Sequence, residues 1–223
     1  MWGCDIIAND INVEEAKRTS SEIEALGRQA LAIKADISNI IEVNDMVKAA
    51  LDRFGKIDIL VNNAGVMGLQ KPFVETETSD WDLDININFR GVLNCTRAVL
   101  VNMVSRKSGK VISISSAGAK LGVPNGAVYC AAKAAVMVFT RSLAKEVAPL
   151  GINVNSIAPG AANTGLSRNN PPGMLESFVE NMVPLKKATT TQDIANMVAY
   201  LASDVGSDIT GQDFSVDGGL TMQ

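Results

Sequence analysis

Residues 57–65 read IDILVNNAG, a short apolar run that ends in two asparagines, an alanine and a glycine. A run of this kind, bounded by turn-forming residues, is typical of a buried β-strand. Segments with helical patterns separate it from similar runs, which predicts a parallel sheet covered by helices on both faces. Four further apolar runs end in the same way, at residues 4–8 before Asp10, 30–35 before Asp36, 111–115 before Ser116 and 152–158 before Pro159 and Gly160.

The chain has the organisation of a single folding unit. Its 223 residues contain no linker, repeat or low-complexity tract. We therefore predict one doubly wound, Rossmann-like α/β domain over residues 1–223, built in three layers. In open sheets of this class, ligands bind beyond the carboxyl ends of the strands. The polar residues and glycines that follow five successive runs thus predict a binding cleft at that edge.

Composition excludes several kinds of function. Lys and Arg number 20 and Asp and Glu 24, and an acidic chain without a basic run is not expected to bind nucleic acid. The chain has no histidine, which removes His-based catalysis and His-ligated zinc. The cysteines, Cys4, Cys95 and Cys130, lack metal-ligand spacing, so no metal site is expected. The sequence shows neither a membrane span nor a signal peptide, and we expect a cytoplasmic protein.

One pair of side chains has the spacing of an acid–base site. Tyr129 and Lys133 are four residues apart in a segment with a helical pattern, which puts them on one helix face. A nearby ammonium favours the phenolate and lowers the pKa of a tyrosine, making it a proton donor and acceptor. Taken alone, the pair is equally compatible with a core tyrosine beside a solvated lysine.

The surroundings of this pair resemble those of the short-chain dehydrogenase/reductase family. Ser116 lies thirteen residues before Tyr129, at the end of a predicted strand. The resemblance extends from residue 3 to residue 223. It also includes the Asn-Asn-Ala-Gly strand end at 62–65, the run WDLDININFRG at 81–91, Pro159-Gly160 with Thr164, ITGQ at 209–212 and VDGG at 216–219.

The resemblance implies four catalytic residues. Tyr129 would be the general acid in carbonyl reduction and the base in alcohol oxidation. Lys133 would hold the nicotinamide ribose and lower the pKa of Tyr129. Ser116 would hydrogen-bond the substrate oxygen as charge develops on it. Asn88 would hold a water that leads protons away from Lys133; the alternative for Asn88 is a helix-interior side chain satisfied by the backbone.

The resemblance also implies a nicotinamide dinucleotide cofactor. Asp10 would accept both hydroxyls of the adenosine ribose and repel a 2′-phosphate, which favours NAD over NADP. The other contacts would be made by Tyr129 and Lys133 at the nicotinamide ribose, by Asp36 and Ile37 at the adenine, by the strand end Asn63, Ala64 and Gly65, and by Pro159, Gly160 and Thr164 beside the nicotinamide carboxamide.

The sequence departs from the family at its beginning. The family opens with a strand, a glycine-rich turn and a helix that bind the pyrophosphate, and no such turn precedes Asp10. We expect that Met1 is internal to a longer chain, through a misplaced start or fragmentation. A sheet without that strand has two unpaired edges in its middle, so we expect the 223 residues alone to fold poorly or to bind NAD weakly.

These observations favour an NAD-dependent alcohol dehydrogenase or ketoreductase that acts on a secondary alcohol or ketone. The substrate stays open because specificity is expected in residues 163–187, which we predict to be irregular. Homotetramers or homodimers are implied, with helices over 79–104 and 125–148 at the interface. One alternative is a truncated, non-catalytic relative that acts as a subunit or cofactor-sensing partner. Another is epimerisation or dehydration of a nucleotide sugar, which generally accompanies a longer C-terminal region.

Overall fold

The computed structural model describes residues 3–162 and 172–222. In that part of the chain, strands and helices alternate from end to end. The strands are β1 (Ile6–Asp10), β2 (Ala30–Lys34), β3 (Ile59–Asn62), β4 (Gly109–Ile114), β5 (Ile152–Pro159) and β6 (Asp213–Val216). The helices are α1 (Val13–Ala25), α2 (Ile40–Phe54), α3 (Thr78–Ile85), α4 (Gly91–Arg106), α5 (Gly118–Leu121), α6 (Ala127–Val147), α7 (Met174–Met182) and α8 (Thr191–Ala202).

Every strand pair is parallel, as the alternation of apolar runs and helices predicted. Strands β4 and β5 are buried along almost their whole length, because helices cover both of their faces. Val111 points into one core with α2, α4 and α6. Its neighbour Ile112 points into a second core with α8 and β6. This alternation of side chains across a strand makes the three layers.

The strands form two sheets rather than one. β1 pairs only with β2, and the other sheet has the order β3-β4-β5-β6. Within the described residues, no ladder of hydrogen bonds joins β1 to β3. Burial reflects this break: the side chain of Val61, in the short strand β3, is 38% exposed, and β1 is mostly half-buried. The two unpaired edges predicted from the sequence are thus those of β1 and β3.

The prediction of one helix over residues 79–104 is wrong in two respects. It begins at Thr78, with Glu77 rather than Ser79 as the N-cap and Asp80 accepting the Glu77 N–H at 2.8 Å. It is also interrupted by a π-helical turn, Asn86–Arg90, which separates α3 from α4. A π turn inserts one residue into the helical repeat, and such turns occur frequently at functional sites.

The sequence predicted that residues 163–187 are irregular, and this prediction is wrong for part of the segment. Helix α7 occupies Met174–Met182 and begins after Gly173, which has a φ of 78°. Its apolar residues Met174, Phe178 and Met182 are 53%, 39% and 56% exposed, while Val179 is buried. The first three therefore present an apolar surface and do not pack as a core stripe.

One helical stretch among the described residues, Ala127–Leu150, is long and apolar enough to cross a membrane. Half of its most apolar window is buried inside the protein. The buried face of α6 carries Tyr129 and Lys133 and packs on β5. A helix at the centre of a protein core has these same properties.

Candidate active site

The turn after β4 brings Ser116 beside the end of β5. The Ser115 N–H donates to the Ile157 carbonyl at 2.7 Å, and the Ala117 N–H donates to the Pro159 carbonyl at 2.8 Å. These bonds continue the β4–β5 pairing around Ser116. The Ser116 hydroxyl oxygen accepts the Gly118 N–H at 3.1 Å, at the start of α5. Main-chain bonds therefore fix the position of this serine.

Tyr129 lies in the first turn of α6, and its side chain faces Ser116. Its exposed fraction is 7%. Burial raises the pKa of Tyr129, and hydrogen bonding to the Ser116 hydroxyl opposes that rise. The structure thus brings together the two hydroxyls that the sequence placed thirteen residues apart. Two hydroxyls in contact can both donate to one oxygen atom of a third molecule.

Lys133 is buried one turn further along α6. It is 4% exposed, and its Nζ donates to the Ile114 carbonyl at 2.9 Å. The Ser115 hydroxyl donates to the Lys133 carbonyl at 3.0 Å. Burial lowers the pKa of Lys133 to about 8. The group that lowers the pKa of Tyr129 is Ser116 rather than the expected Lys133.

Asn88 lies in the π turn and is completely buried. Its Oδ1 accepts the Val66 N–H at 3.1 Å, and its Nδ2 donates to the Val66 carbonyl at 2.9 Å. The side chain is thus satisfied by backbone, as in the alternative interpretation, but by the backbone of the segment after β3. This pair of bonds holds the Asn-Ala-Gly strand end against the π turn.

Gly65 connects Asn88 with Lys133. A Cβ atom on Gly65 would stand 3.0 Å from the Lys133 Nζ and 3.2 Å from the Asn88 Oδ1. Both polar groups therefore approach the same point of the Gly65 backbone. A side chain at this position would displace the ammonium, which explains why the strand end carries a glycine.

Asp84 is a site residue that the sequence analysis missed. It is 5% exposed, lies one turn before Asn88, and its Oδ1 accepts the Gly68 N–H at 2.9 Å. Burial raises the pKa of Asp84, while the Gly68 N–H and the charge of Lys133 oppose the rise. Its spacing of four residues from Asn88 was a visible signal, since such residues share a helix face.

The residues predicted for the adenosine half stand at the ends of β1 and β2. Asp10 is half-buried, and its Oδ1 accepts the Asn12 N–H at 2.8 Å in the turn before α1. The Oδ1 of Asp36 accepts the N–H and the hydroxyl of Ser38 at 2.8 and 2.7 Å. Ile37 packs so closely on α4 that a Cβ on Gly91 would stand 2.4 Å from its Cδ1. In each carboxylate, the Oδ2 atom takes no part in these turn hydrogen bonds.

The remaining predicted cofactor contacts lie at the ends of β3 and β5. Asn63 and Ala64 are exposed at the end of β3. A Cβ on Gly160 would stand 2.6 Å from the Asp217 Cα, so this position requires glycine. Thr164 lies outside the described residues.

The chemistry of these side chains suits a dinucleotide at both of its ends: carboxylates for ribose hydroxyls and adenine, and small residues beside a buried ammonium. The described residues contain no group of three or more His, Cys, Asp or Glu side chains that could hold a metal ion.

In comparisons with known proteins, the chain is similar to reductases and dehydrogenases. Residues 2–221 match a family model described as enoyl-(acyl carrier protein) reductase. The chain is 39% identical to a 3-oxoacyl-(acyl-carrier-protein) reductase from Synechocystis sp., over 91% of this chain and 80% of that protein. It is 39% identical to the BbsD subunit of (2S)-((R)-hydroxy(phenyl)methyl)succinyl-CoA dehydrogenase from Thauera aromatica, over 99% and 88%. The crystal structure of levodione reductase superposes with a TM-score of 0.90 at 33% identity, over 96% of this chain and 87% of that one.

Proposed function

The chain belongs to the short-chain dehydrogenase/reductase family, and on that premise we propose that it reduces a ketone to a secondary alcohol, or runs the reverse oxidation, with NAD(P) as the hydride carrier. The observation that carries the proposal is the contact of Ser116 with Tyr129, one helical turn before the buried Lys133. Two hydroxyls converge where one carbonyl oxygen would accept from both.

In the reducing direction, each of these residues has one task. The cofactor, when bound, supplies the hydride. The Ser116 hydroxyl donates a hydrogen bond to the carbonyl oxygen as negative charge develops on it. Tyr129 transfers its phenolic proton to that oxygen, and the alcohol forms. The loss of this proton leaves a phenolate, which the nearby positive charge of Lys133 stabilises.

The proton on Tyr129 must be replaced after each turnover. A lysine with a pKa of about 8 can give up and regain a proton near neutral pH. We assign Asn88 the role of holding the water that connects Lys133 with solvent. The π turn supports a functional role for Asn88, because such turns occur frequently at functional sites.

The substrate that we propose is a ketone on an acyl thioester. The two relatives quoted above have acyl-carrier-protein and CoA in their names, while levodione reductase is named for a different compound. The exposed apolar face of α7, with Met174, Phe178 and Met182, offers a surface for an acyl chain. A second candidate is enoyl reduction, which the description of the family model names; the paired hydroxyls favour the carbonyl reaction.

A substrate panel tests the proposed function. Purified protein would be given acetoacetyl-CoA, a cyclic diketone or crotonyl-CoA, each with NADH and then NADPH, and oxidation of the cofactor followed by absorbance. We expect turnover with acetoacetyl-CoA. Turnover with crotonyl-CoA alone would replace this function by enoyl reduction. Cofactor binding by fluorescence without turnover of any probe would instead favour the non-catalytic, cofactor-sensing alternative.

Asp10 is expected to set the preference for NAD. Its carboxylate would accept the ribose hydroxyls and repel a 2′-phosphate. Replacement Asp10→Ala should lower the ratio of NAD to NADP affinity roughly tenfold, as for the loss of one partly solvated charge interaction. Fluorescence titration with both reduced cofactors measures the ratio. Glu22→Ala, on the exposed side of α1, is the control; a ratio that Asp10→Ala leaves unaltered would rule out the ribose contact.

We also propose that residues 1–223 act as one domain in a cytoplasmic homotetramer or homodimer, without nucleic-acid or membrane partners. Apolar side chains on α3, α4 and α6 support self-association: Leu83, Val101 and Val138 are 50%, 60% and 58% exposed. Light scattering of the purified chain checks the oligomeric state, and a monomer at all concentrations would contradict this part of the proposal.

A further inference from the structure

Asp84 is a buried acid that the reaction described above does not use. It projects from α3, one turn before Asn88, and only 5% of it is exposed. A carboxylate is rarely buried to this extent without a cation or several donors. Its presence beside a catalytic lysine therefore calls for a specific role.

The hydrogen bonds of Asp84 join it to the catalytic residues. Its Oδ1 accepts the Gly68 N–H at 2.9 Å and lies 3.4 Å from the Nδ2 of Asn88. The same Nδ2 donates to the Val66 carbonyl at 2.9 Å. The carboxylate therefore lies next to the Asn88 side chain, which holds the segment after β3 against the π turn. Only one of its two donors is at ordinary hydrogen-bond distance.

Charged and titratable groups face Asp84 from two sides. On α6, the charge of Asp84 acts on Lys133, Tyr129 and Cys130. Lys71 lines a small cavity together with Asp84, and it forms an ion pair with Asp80 at 2.8 Å.

The geometry places Lys133 and Asp84 on either end of the Asn88 amide. The Lys133 Nζ and the Asn88 Oδ1 approach the same point beside Gly65, at 3.0 and 3.2 Å from a Cβ built there, and the Asn88 Nδ2 lies 3.4 Å from the Asp84 Oδ1. Lys71 forms an ion pair with Asp80, whereas the Lys133 Nζ bonds to a neutral acceptor, the Ile114 carbonyl.

A small cavity adjoins Asp84. Its volume is about 20 Å³, and its lining includes Asp84, Asp80, Asn125 and Gly126. A space of this size holds about one water molecule when polar groups line it. Such a water would give Asp84 a further donor, which an ionised carboxylate needs in a buried place.

We propose that Asp84 is a positioning residue of the active site, whose carboxylate is the counter-charge that keeps Lys133 an ammonium ion. This role rests on the proposed function, since it acts through Lys133 on Tyr129. A buried ammonium near a buried carboxylate stays protonated to higher pH than one without it. Asp84 thus preserves the charge that stabilises the Tyr129 phenolate during turnover.

The experiment follows the titration of Lys133 directly. The Cε signal of Lys133 would be recorded by carbon NMR in the free protein and assigned by its loss in Lys133→Met. In Asp84→Asn, whose amide oxygen still accepts the Gly68 N–H, we expect the lysine to titrate at lower pH. The upper limit of the pH range in which acetoacetyl-CoA is reduced should move down with it, because turnover needs the lysine protonated. Asp82→Asn, an exposed acid on the same helix, should change neither.

An unaltered Lys133 titration in folded Asp84→Asn would overturn the proposal, and restoration of the original titration by Asp84→Glu would support it. If circular dichroism shows that the Asn variant is unfolded, Asp84→Ser gives the same comparison. The NMR readout needs neither cofactor nor substrate. A chain with no turnover but a shifted titration therefore contradicts the proposed function while leaving the pairing of Asp84 with Lys133 in place.

Discussion

Replacement of Tyr129 by phenylalanine is expected to lower turnover by about 10²–10⁴-fold, the usual contribution of a positioned general acid–base group. The phenyl ring fills the same buried space, so α6 and the core around it should persist. Only the hydroxyl that faces Ser116 is lost. Cofactor affinity should change little, because the remaining predicted cofactor contacts are unaltered.

Turnover of acetoacetyl-CoA and fluorescence titration of the cofactor measure the two quantities separately. Tyr200→Phe is the matched control: it removes the other tyrosine of the chain, which lies on α8 and is 40% exposed. It should leave both quantities as they are. Turnover in Tyr129→Phe equal to that of the control would remove Tyr129 from the reaction.

Replacement Lys133→Met is expected to abolish turnover and also to change how stability depends on pH. The pKa of Lys133 is about 8 in the folded protein against an ordinary value of 10.5. Between these values the unfolded chain binds more protons than the folded one. The contribution of Lys133 to the free energy of unfolding should therefore rise with pH across this window, by up to about 1.4 kcal/mol per pH unit. Lys133→Met should lack the rise.

Urea unfolding at several pH values above 8 checks this expectation. The series should stay below pH 9, the ordinary pKa of cysteine, because burial raises the pKa of Cys95 to about 11 and also raises that of Cys130, and both thiols lower stability at higher pH. The raised pKa of Tyr129 does the same above pH 10. Lys145→Met, an exposed lysine on the same helix, should retain the pH dependence of the unsubstituted protein. Identical slopes in the two variants would mean that Lys133 is solvated in the folded protein.

The sequence predicted the strands from local patterns, and it predicted the candidate site residues from the resemblance of their surroundings to a known family. Apolar runs bounded by turn residues identified β3, β4 and β5 to within two residues. The same runs located Ser116, since a residue after a parallel strand must lie at the ligand-binding edge. The spacing of Tyr129 and Lys133 followed from the helical repeat alone. These features need no knowledge of what packs against them.

The remaining features depend on tertiary contacts. The π turn at Asn88 exists because its side chain bonds to Val66, twenty-two residues earlier, and no pattern within the helix reveals that partner. The spacing of Asp84 from Asn88 was visible in the sequence, but its hydrogen bond to the Gly68 N–H, sixteen residues earlier, was not. Helix α7 was missed because the surrounding prolines and glycines obscured nine residues of helical pattern.

The break between the two sheets also divides the candidate site. Asp10 and Asp36 belong to the β1–β2 part, whereas Ser116, Tyr129 and Lys133 belong to the other.

Among the described residues, contacts that join the two parts are made by side chains: Ile7 packs on the larger core, and Asn94 donates to the carbonyls of Ile37 and Ser38. A dinucleotide that touches both parts would therefore hold them together. Its apparent affinity would be the intrinsic affinity multiplied by the fraction of molecules in which the two parts are docked. By linkage, the ligand must strengthen the docking by the same free energy.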